Sequence, residues 1–124
     1  MRVIKELPSY EEYKDLVHEI LVKESGNCPV MPVVEMLQGK WKLQLLYWLI
    51  IKSPMRFGEL KKALHGITNT MLTSVLRELE QDGFIFREQF NEIPPHVEYS
   101  LSEKGQDLLP IIYAITAWGM KYIP

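Results

Sequence analysis

The segment from Ile67 to Gly83 constrains the fold most, because it specifies both ends and the buried face of one helix. Thr68 suits the N-cap, where its side-chain oxygen can accept a hydrogen bond from a backbone N–H of the first turn. Gly83 can supply the left-handed residue that follows a helix. Apolar residues recur at i, i+3, i+4 and i+7, namely at Leu72, Val75, Leu76 and Leu79. This spacing predicts a helix with one apolar stripe packed against a core.

The opposite face of this predicted helix carries short hydrogen-bonding side chains and one arginine, whereas a solvated helix surface usually carries Glu and Lys. In a major groove, Asn can pair with adenine and Arg with guanine. We therefore interpret the segment as a DNA recognition helix, with an ordinary surface helix as the alternative. The candidate base-contacting residues are Thr68, Asn69, Thr70, Thr73, Ser74 and Arg77. Arg77 could instead pair with Glu80 or Glu78.

The chain length of 124 residues predicts one domain, residues 1–124. No apolar segment approaches the roughly 20 residues needed to span a bilayer, and no signal peptide is evident, so we expect a cytoplasmic protein without membrane contact. The single cysteine excludes a disulfide within the chain, and the three histidines lack metal-ligand spacing. We expect no metal and no cofactor.

The net charge of −2 is unevenly distributed. Residues 1–38 carry −3 and residues 76–124 carry −4, whereas residues 40–75 hold six basic residues against Glu59 and carry +5. Positive charge is thus concentrated before the predicted recognition helix, as expected for a surface that binds phosphates. The candidate phosphate contacts are Lys40, Arg56, Lys61 and Lys62, with a solvated surface as the alternative for the last two.

Other segments supply the elements around the recognition helix. We predict an amphipathic helix over 9–24, capped by Ser9 and stopped at Gly26, within an N-terminal extension 1–26. A short helix over 32–37 and an apolar core helix over 41–51 follow. A helix over 58–64 and a turn at 65–67 then lead into the recognition helix, which together form a helix-turn-helix.

Two alternating segments, 85–90 and 97–101, predict a β-hairpin after the recognition helix. A hairpin in this position is a wing, which would lie on the phosphate backbone or enter a minor groove. We therefore assign 55–101 to a helix-turn-helix and wing. The candidate wing residues are Asn91, Pro94, Pro95 and His96, the last of these with an ordinary loop histidine as the alternative.

The C-terminal segment 102–124 predicts a final helix, capped by Ser102 and apolar on more than one face. Such a surface on a small domain predicts burial against a second copy of the chain. Trp41, Trp48 and Trp118 are interpreted as core or interface aromatics, with an effector cage as the alternative. The predicted fold is therefore mainly α with a small β-hairpin wing (α+β), a winged helix-turn-helix with extra N- and C-terminal dimerisation helices.

The chain resembles the HxlR family of bacterial winged helix-turn-helix regulators, which is similar to the MarR type. The matching motifs cover residues 28–119. They are Cys28-Pro29-Val30, Gly39-Lys40-Trp41, Arg56-Phe57-Gly58-Glu59-Leu60, Gly66-Ile67-Thr68 with Leu72, the run from Leu76 to Gly83, the run from Pro94 to Leu101, and Gly105. The resemblance implies a dimeric, sequence-specific DNA-binding regulator whose terminal helices build the dimer.

Cys28 admits two interpretations. A lone cysteine is commonly a small buried hydrophobe. The family resemblance instead implies a sensor of oxidants or electrophiles, because some members use a cysteine in this Cys-Pro context. Without a partner cysteine in the same chain, sensing would require an intersubunit disulfide, a mixed disulfide or direct alkylation.

We therefore expect a homodimeric transcriptional regulator that binds an inverted repeat in double-stranded DNA, with Cys28 as a candidate sensor. The alternative is a winged-helix module for protein interaction that does not contact DNA bases. An enzyme is disfavoured, because Cys28 and the histidines lack a recognisable catalytic arrangement. The effector is not specified by the sequence.

Overall fold

The computed structural model describes residues 9–23 and 28–124 of the chain. Within these residues it has seven helices and one three-stranded antiparallel sheet. The chain divides into two compact units, residues 1–37 and 38–124. No helix among the described residues is long and apolar enough to cross a membrane.

The first unit contains helices α1, Tyr10–Lys23, and α2, Met31–Leu37. Helix α1 begins after Ser9, whose Oγ accepts a hydrogen bond from the Glu12 N–H at 3.3 Å, so this predicted helix start is confirmed. Residues 1–8 of the predicted extension, residue 24 and the predicted stop at Gly26 lie outside the described residues.

The second unit contains the remaining elements. In chain order they are α3 Lys42–Ile51, β1 Met55–Arg56, α4 Phe57–Ala63, α5 Asn69–Gln81, β2 Ile85–Phe90, β3 His96–Leu101, α6 Glu103–Gln106 and α7 Leu109–Tyr122. The predicted order of helix, turn, helix and wing is confirmed.

The core of this unit is made by apolar side chains from α3, α4, α5 and β2. The fully buried members are Leu45, Leu46, Leu49, Leu60, Leu64, Leu72, Leu79 and Ile85. Helix α3 supplies three of them, as expected of a core helix. Its Trp48, interpreted from the sequence as a core or interface aromatic, is however 37% exposed.

The sheet has the strand order β1-β3-β2, so the predicted two-stranded hairpin gains a third strand. Met55 in β1 pairs with Tyr99 in β3, and Ile85 in β2 pairs with Leu101 in β3. These four side chains are buried and share one face of the sheet. The other face is left to charged and aromatic residues.

A buried joint connects the end of α5 to the wing and to α6. The Ser102 hydroxyl donates to the Gly83 carbonyl at 2.5 Å, and the Ser102 N–H donates to the Phe84 carbonyl at 3.0 Å. Ser102 also caps α6, because its Oγ accepts from the Gly105 N–H at 3.1 Å. A side chain at Gly105 would collide with the Phe84 carbonyl, so the joint requires glycine there.

The predicted single final helix over 102–124 is wrong, because the structure has two helices, α6 and α7, in this segment. Pro110 lies in the first turn of α7, where the absence of its N–H costs nothing. Farther inside a continuous helix it would remove the hydrogen bond to the Gln106 carbonyl and clash with that residue. The break before Leu109 therefore follows from Pro110.

Candidate nucleic-acid interface

Helix α5 has the ends and the buried side that the sequence predicts. The Thr68 Oγ1 accepts a hydrogen bond from the Met71 N–H at 3.1 Å, which confirms Thr68 as the N-cap. Gly83 has a φ of 80°, the left-handed conformation that ends the helix. The stripe of Leu72, Val75, Leu76 and Leu79 is buried. The opposite side of α5 is therefore turned to solvent.

The turn between α4 and α5 fixes the relation between these two helices. Gly66 has a φ of 88°, which a residue with a side chain rarely adopts. Ile67 is 4% exposed, and its N–H donates to the Leu64 carbonyl at 3.1 Å. One side chain and one backbone bond thus anchor the turn to the core, as expected for a helix-turn-helix.

All six candidate base-contacting residues are exposed. At about 100° per residue, Thr70, Ser74 and Arg77 lie opposite the buried stripe, and Asn69 lies at its side. The Thr68 oxygen is used by the cap, and the Thr73 hydroxyl donates to the Asn69 carbonyl at 2.8 Å. The side chains of Asn69, Thr70, Ser74 and Arg77 therefore retain their hydrogen-bonding capacity toward a ligand.

The alternative partners predicted for Arg77 do not hold it. Glu78 pairs with Lys42 in α3, with 2.8 Å between Nζ and Oε2. Arg77 forms no ion pair with any side chain that the structure describes, those of residues 9–17 and 28–124. Its guanidinium is thus available on the exposed face of α5.

Two of the six cations in residues 40–75 are neutralised by carboxylates. Lys42 pairs with Glu78, and Lys52 pairs with Glu59, both at 2.8 Å. The four predicted phosphate contacts are exposed and form no ion pair with a described residue: Lys40, Arg56, Lys61 and Lys62. The Lys40 ammonium lies 4.6 Å from the centroid of the Trp41 ring, a cation–π contact.

Glu59 organises the start of α4. Its carboxylate accepts from the Lys52 ammonium at 2.8 Å and from the Arg56 N–H at 3.0 Å. The Lys52 hydrogen bond, followed by that from Arg56, lowers the pKa of Glu59 below its ordinary value. The ionised carboxylate thus caps α4 by accepting a hydrogen bond from the backbone N–H of Arg56. The side chain of Arg56 is one of the candidate phosphate contacts.

The wing holds His96 between two carboxylates. His96 is the first residue of β3, and its Nε2 lies 2.8 Å from a Glu98 oxygen, while its Nδ1 lies 3.5 Å from a Glu92 oxygen. The ring stacks on Phe90 with 4.7 Å between centroids. Only 13% of the His96 side chain is exposed, so it fastens the wing internally rather than projecting from it.

The solvent face of the sheet is acidic. Glu98 in β3 is flanked by Arg56 in β1 and by Glu88 in β2. Glu92 in the loop adds a third carboxylate, whereas Arg87, the one arginine of the hairpin, pairs with Tyr99 on the opposite face of the sheet. The loop residues Asn91, Pro94 and Pro95 are exposed, and Ile93 at the tip is fully exposed. The wing is therefore poorly suited to follow phosphates along its whole length.

Cys28 and α7 provide the remaining predicted features. Cys28 is a half-buried free thiol. Helix α7 has no buried residue, and Tyr113, Trp118 and Met120 are 74%, 62% and 81% exposed. The described residues thus leave the apolar helix α7 uncovered.

Sequence reasoning missed two features of this surface. Met71 in α5 is 45% exposed beside the candidate base contacts, although a methionine at helical spacing suggests a core residue. The ion pair between Lys42 and Glu78 was also missed. A lysine at the first position of a helix is electrostatically unfavourable, and this could have signalled a carboxylate partner. Among the described residues, no three His, Cys, Asp or Glu side chains could hold a metal ion.

A short helix, a glycine turn, a second helix with an exposed polar face and a following hairpin define a winged helix-turn-helix protein. Comparison with known proteins then identifies the family. The model of the HxlR-like helix-turn-helix family matches residues 36–124, and the chain belongs to this family. The predicted resemblance is confirmed, and the chain is a helix-turn-helix transcriptional regulator.

Relatives and solved structures agree with this assignment. The HTH-type transcriptional regulator YdeP of Bacillus subtilis is 50% identical over 96 residues, which cover 77% of this chain and 74% of YdeP. A MarR-family transcriptional regulator from Porphyromonas gingivalis W83 is 38% identical with a TM-score of 0.72, covering 80% of this chain and 96% of that one. The redox regulator HypR in its oxidised form is 42% identical with a TM-score of 0.70, covering 78% and 99%.

Proposed function

We propose that this regulator binds double-stranded DNA in a sequence-specific manner, with α5 in the major groove. The observation that carries the proposal is the exposed face of α5, where Thr70, Ser74 and Arg77 lie opposite the buried stripe. Arg77 can donate two hydrogen bonds to guanine, and the short side chains allow the helix to approach base edges. The four exposed cations Lys40, Arg56, Lys61 and Lys62 would contact phosphates and contribute affinity without sequence information.

The test is selection of duplexes from a randomised library, followed by titration of a selected and a scrambled duplex at 50 and 200 mM salt. A specific DNA-binding protein is expected to enrich one motif and to lose affinity steeply as salt rises. Enrichment of no motif would overturn the proposal, and so would equal affinity for the selected and the scrambled duplex.

The proposed binding unit is a homodimer, and the uncovered α7 supports it. An apolar helix without a buried residue is a liability for a monomer but normal for half of an interface. Two recognition helices related by a two-fold axis would enter successive major grooves about 34 Å apart. The selected motif should then be an inverted repeat with half-sites one helical turn apart.

We also propose that Cys28 makes DNA binding sensitive to oxidants or electrophiles. The similarity to the redox regulator HypR and the partial exposure of the free thiol support this. Three reactions fit a single cysteine: an intersubunit disulfide, a mixed disulfide and alkylation. In the first, two Cys28 thiols lose two electrons and two protons to the oxidant. Cys28 precedes residues 36–124 that match the family model, so it needs its own test.

That test compares wild-type and Cys28→Ser proteins on a selected duplex before and after treatment with diamide, a thiol oxidant. Weaker binding by the treated wild type, but not by the treated variant, is expected. An equal response of both proteins would make Cys28 a structural residue.

The acidic wing favours a second candidate function, a module for protein interaction. Glu88, Glu92 and Glu98 would repel phosphates, and the exposed Phe86 and Ile93 could bury apolar surface against a protein. This alternative predicts a flat salt dependence and no enriched motif, so the same titration separates the two functions. A DNA-binding regulator of this kind would act in the cytoplasm, and neither function requires catalysis or a cofactor.

A further inference from the structure

Lys42 occupies a position that disfavours a cation. Helix α3 begins at Lys42, its N-cap Trp41 provides no side-chain cap, and its first turn contains no acidic residue. The positive end of the helix dipole is therefore left to a lysine. Since the side chain of Lys42 is also only 12% exposed, its ammonium is disfavoured by both the dipole and the loss of water.

Glu78 in α5 compensates this ammonium. The distance between Lys42 Nζ and Glu78 Oε2 is 2.8 Å, and the Glu78 side chain is 53% exposed. The pair therefore joins the first turn of α3 in the core to the flank of the recognition helix. Glu78 lies next to Arg77 in sequence, so the pair acts on the segment of α5 that carries the exposed guanidinium.

A cleft of about 270 Å³ lies beside the pair, so apolar packing does not fill this side of α5. Its walls include Lys40 and Trp41 before α3, and Met71, Ser74 and Val75 on α5. Apolar contacts alone tolerate small rotations of a helix. With side-chain tips about 5–6 Å from the helix axis, a rotation of about 20° displaces them by about 2 Å. That displacement is enough to break a hydrogen bond to a base.

We infer that Lys42 is a positioning residue for base recognition. Its ion pair with Glu78 fixes the rotation of α5 about its own axis and neutralises a carboxylate that would otherwise face the phosphates. The inference rests on the proposed DNA-binding function. It assigns Lys42 an action through Glu78 rather than a contact with DNA.

The experiment measures the ratio of affinities for two duplexes, one selected by the wild-type protein from a randomised library and one scrambled duplex of the same composition. Lys42→Met removes the charge while keeping a long apolar side chain. The ratio is expected to fall about tenfold, the effect of losing one good base contact. The charge swap Lys42→Glu with Glu78→Lys rebuilds the pair and is expected to restore most of the ratio.

Lys52→Met is the matched control. Lys52 forms an ion pair of the same 2.8 Å length with Glu59, at the other end of α3 and without a link to α5. Its loss is expected to weaken both duplexes similarly and to leave the ratio unchanged. If circular dichroism shows that Lys42→Met is unfolded, the comparison uses Glu78→Gln instead. This substitution removes the same ion pair with little change in side-chain volume.

Each outcome decides the inference. An unchanged ratio in the variant without the pair overturns it. Equal weakening on both duplexes that the charge swap does not restore also overturns it, because Lys42 would then be a phosphate contact. A wild-type ratio near one overturns the proposed function and this inference together. If the wild-type ratio is well above one and the variant has the same ratio, only the positioning role of Lys42 is refuted.

Discussion

Gly105→Ala is expected to destabilise the protein through the buried joint at Gly83, Phe84, Ser102 and Gly105. A methyl group at Gly105 would lie 2.7 Å from Leu101 Cδ2 and closer still to the Phe84 carbonyl oxygen. The leucine side chain can move, but the Phe84 carbonyl is backbone and is held by the Ser102 N–H at 3.0 Å. The methyl group can therefore be accommodated only if this backbone bond changes.

The magnitude follows from three contributions. Overpacking a tight site costs about 1–3 kcal/mol. Displacing the Phe84 carbonyl weakens its hydrogen bond to Ser102, worth about 1 kcal/mol. Alanine recovers about 1 kcal/mol over glycine in a helix. The net loss is about 1–3 kcal/mol in the free energy of unfolding, and each kcal/mol lowers Tm by roughly 4 °C in a domain of this size.

Urea unfolding followed by circular dichroism measures this difference, and Gly58→Ala is the matched control. Gly58 lies in α4, where an added Cβ would meet no atom within 4 Å. The control is expected to gain about 0.4–1 kcal/mol, because alanine restricts the unfolded chain. If Gly105→Ala proves as stable as the wild type, the Phe84 backbone yields without cost and the account of the joint is wrong.

Three further predictions concern charge, DNA contacts and assembly. Lys52 lowers the pKa of Glu59 in the folded protein. The ionised Glu59 therefore contributes its full stabilisation above the ordinary Glu pKa of about 4.3, and this contribution is lost as the pH falls through the lowered pKa of the folded state. Between pH 7 and pH 3, the free energy of unfolding measured in urea should therefore fall less in Glu59→Gln than in the wild type. Arg77→Ala should cost about 1–3 kcal/mol of binding free energy on a selected duplex and relax the sequence preference at one base pair. Lys61→Ala should instead weaken binding to all duplexes alike and reduce the slope of log affinity against log salt by about one. If both variants had the same effect, α5 would only anchor the protein to phosphates. Trp118→Glu should shift the sedimenting species from dimer to monomer, and a wild-type monomer at micromolar concentration would refute the dimer.

Helix α5 could be predicted in full because its signals are local. The cap at Thr68, the stripe from Leu72 to Leu79 and the stop at Gly83 lie within one short segment, and the structure confirms all three. The same local reasoning found the turn at Gly66 and the two wing strands. In these segments a few neighbouring residues specify the conformation, and the tertiary packing agrees with it.

The sequence predictions failed for two reasons: one local residue interrupted a longer apolar pattern, and some contacts join residues far apart in the chain. The C-terminal segment 102–124 was predicted to form one helix, but Pro110 required a second helix to start before it. Strand β1 has only two residues, too few for an alternating pattern, and forms because Met55 pairs with Tyr99 far along the chain. The pair of Lys42 with Glu78 is likewise long-range. The exposure of Trp48 shows that apolar composition marked α3 as a core helix without fixing which side faces the core.

The charge distribution in three dimensions limits where affinity for DNA can come from. The chain carries a net charge of −2, the wing adds carboxylates, and two of the lysines in residues 40–75 are neutralised within the fold. In the proposed complex with DNA, phosphate binding would then rest on the four exposed cations Lys40, Arg56, Lys61 and Lys62. Eight such contacts in a dimer imply a slope of log affinity against log salt of about −7. A steeper slope would require further cations at the DNA, whereas a slope near zero would favour the protein-interaction module.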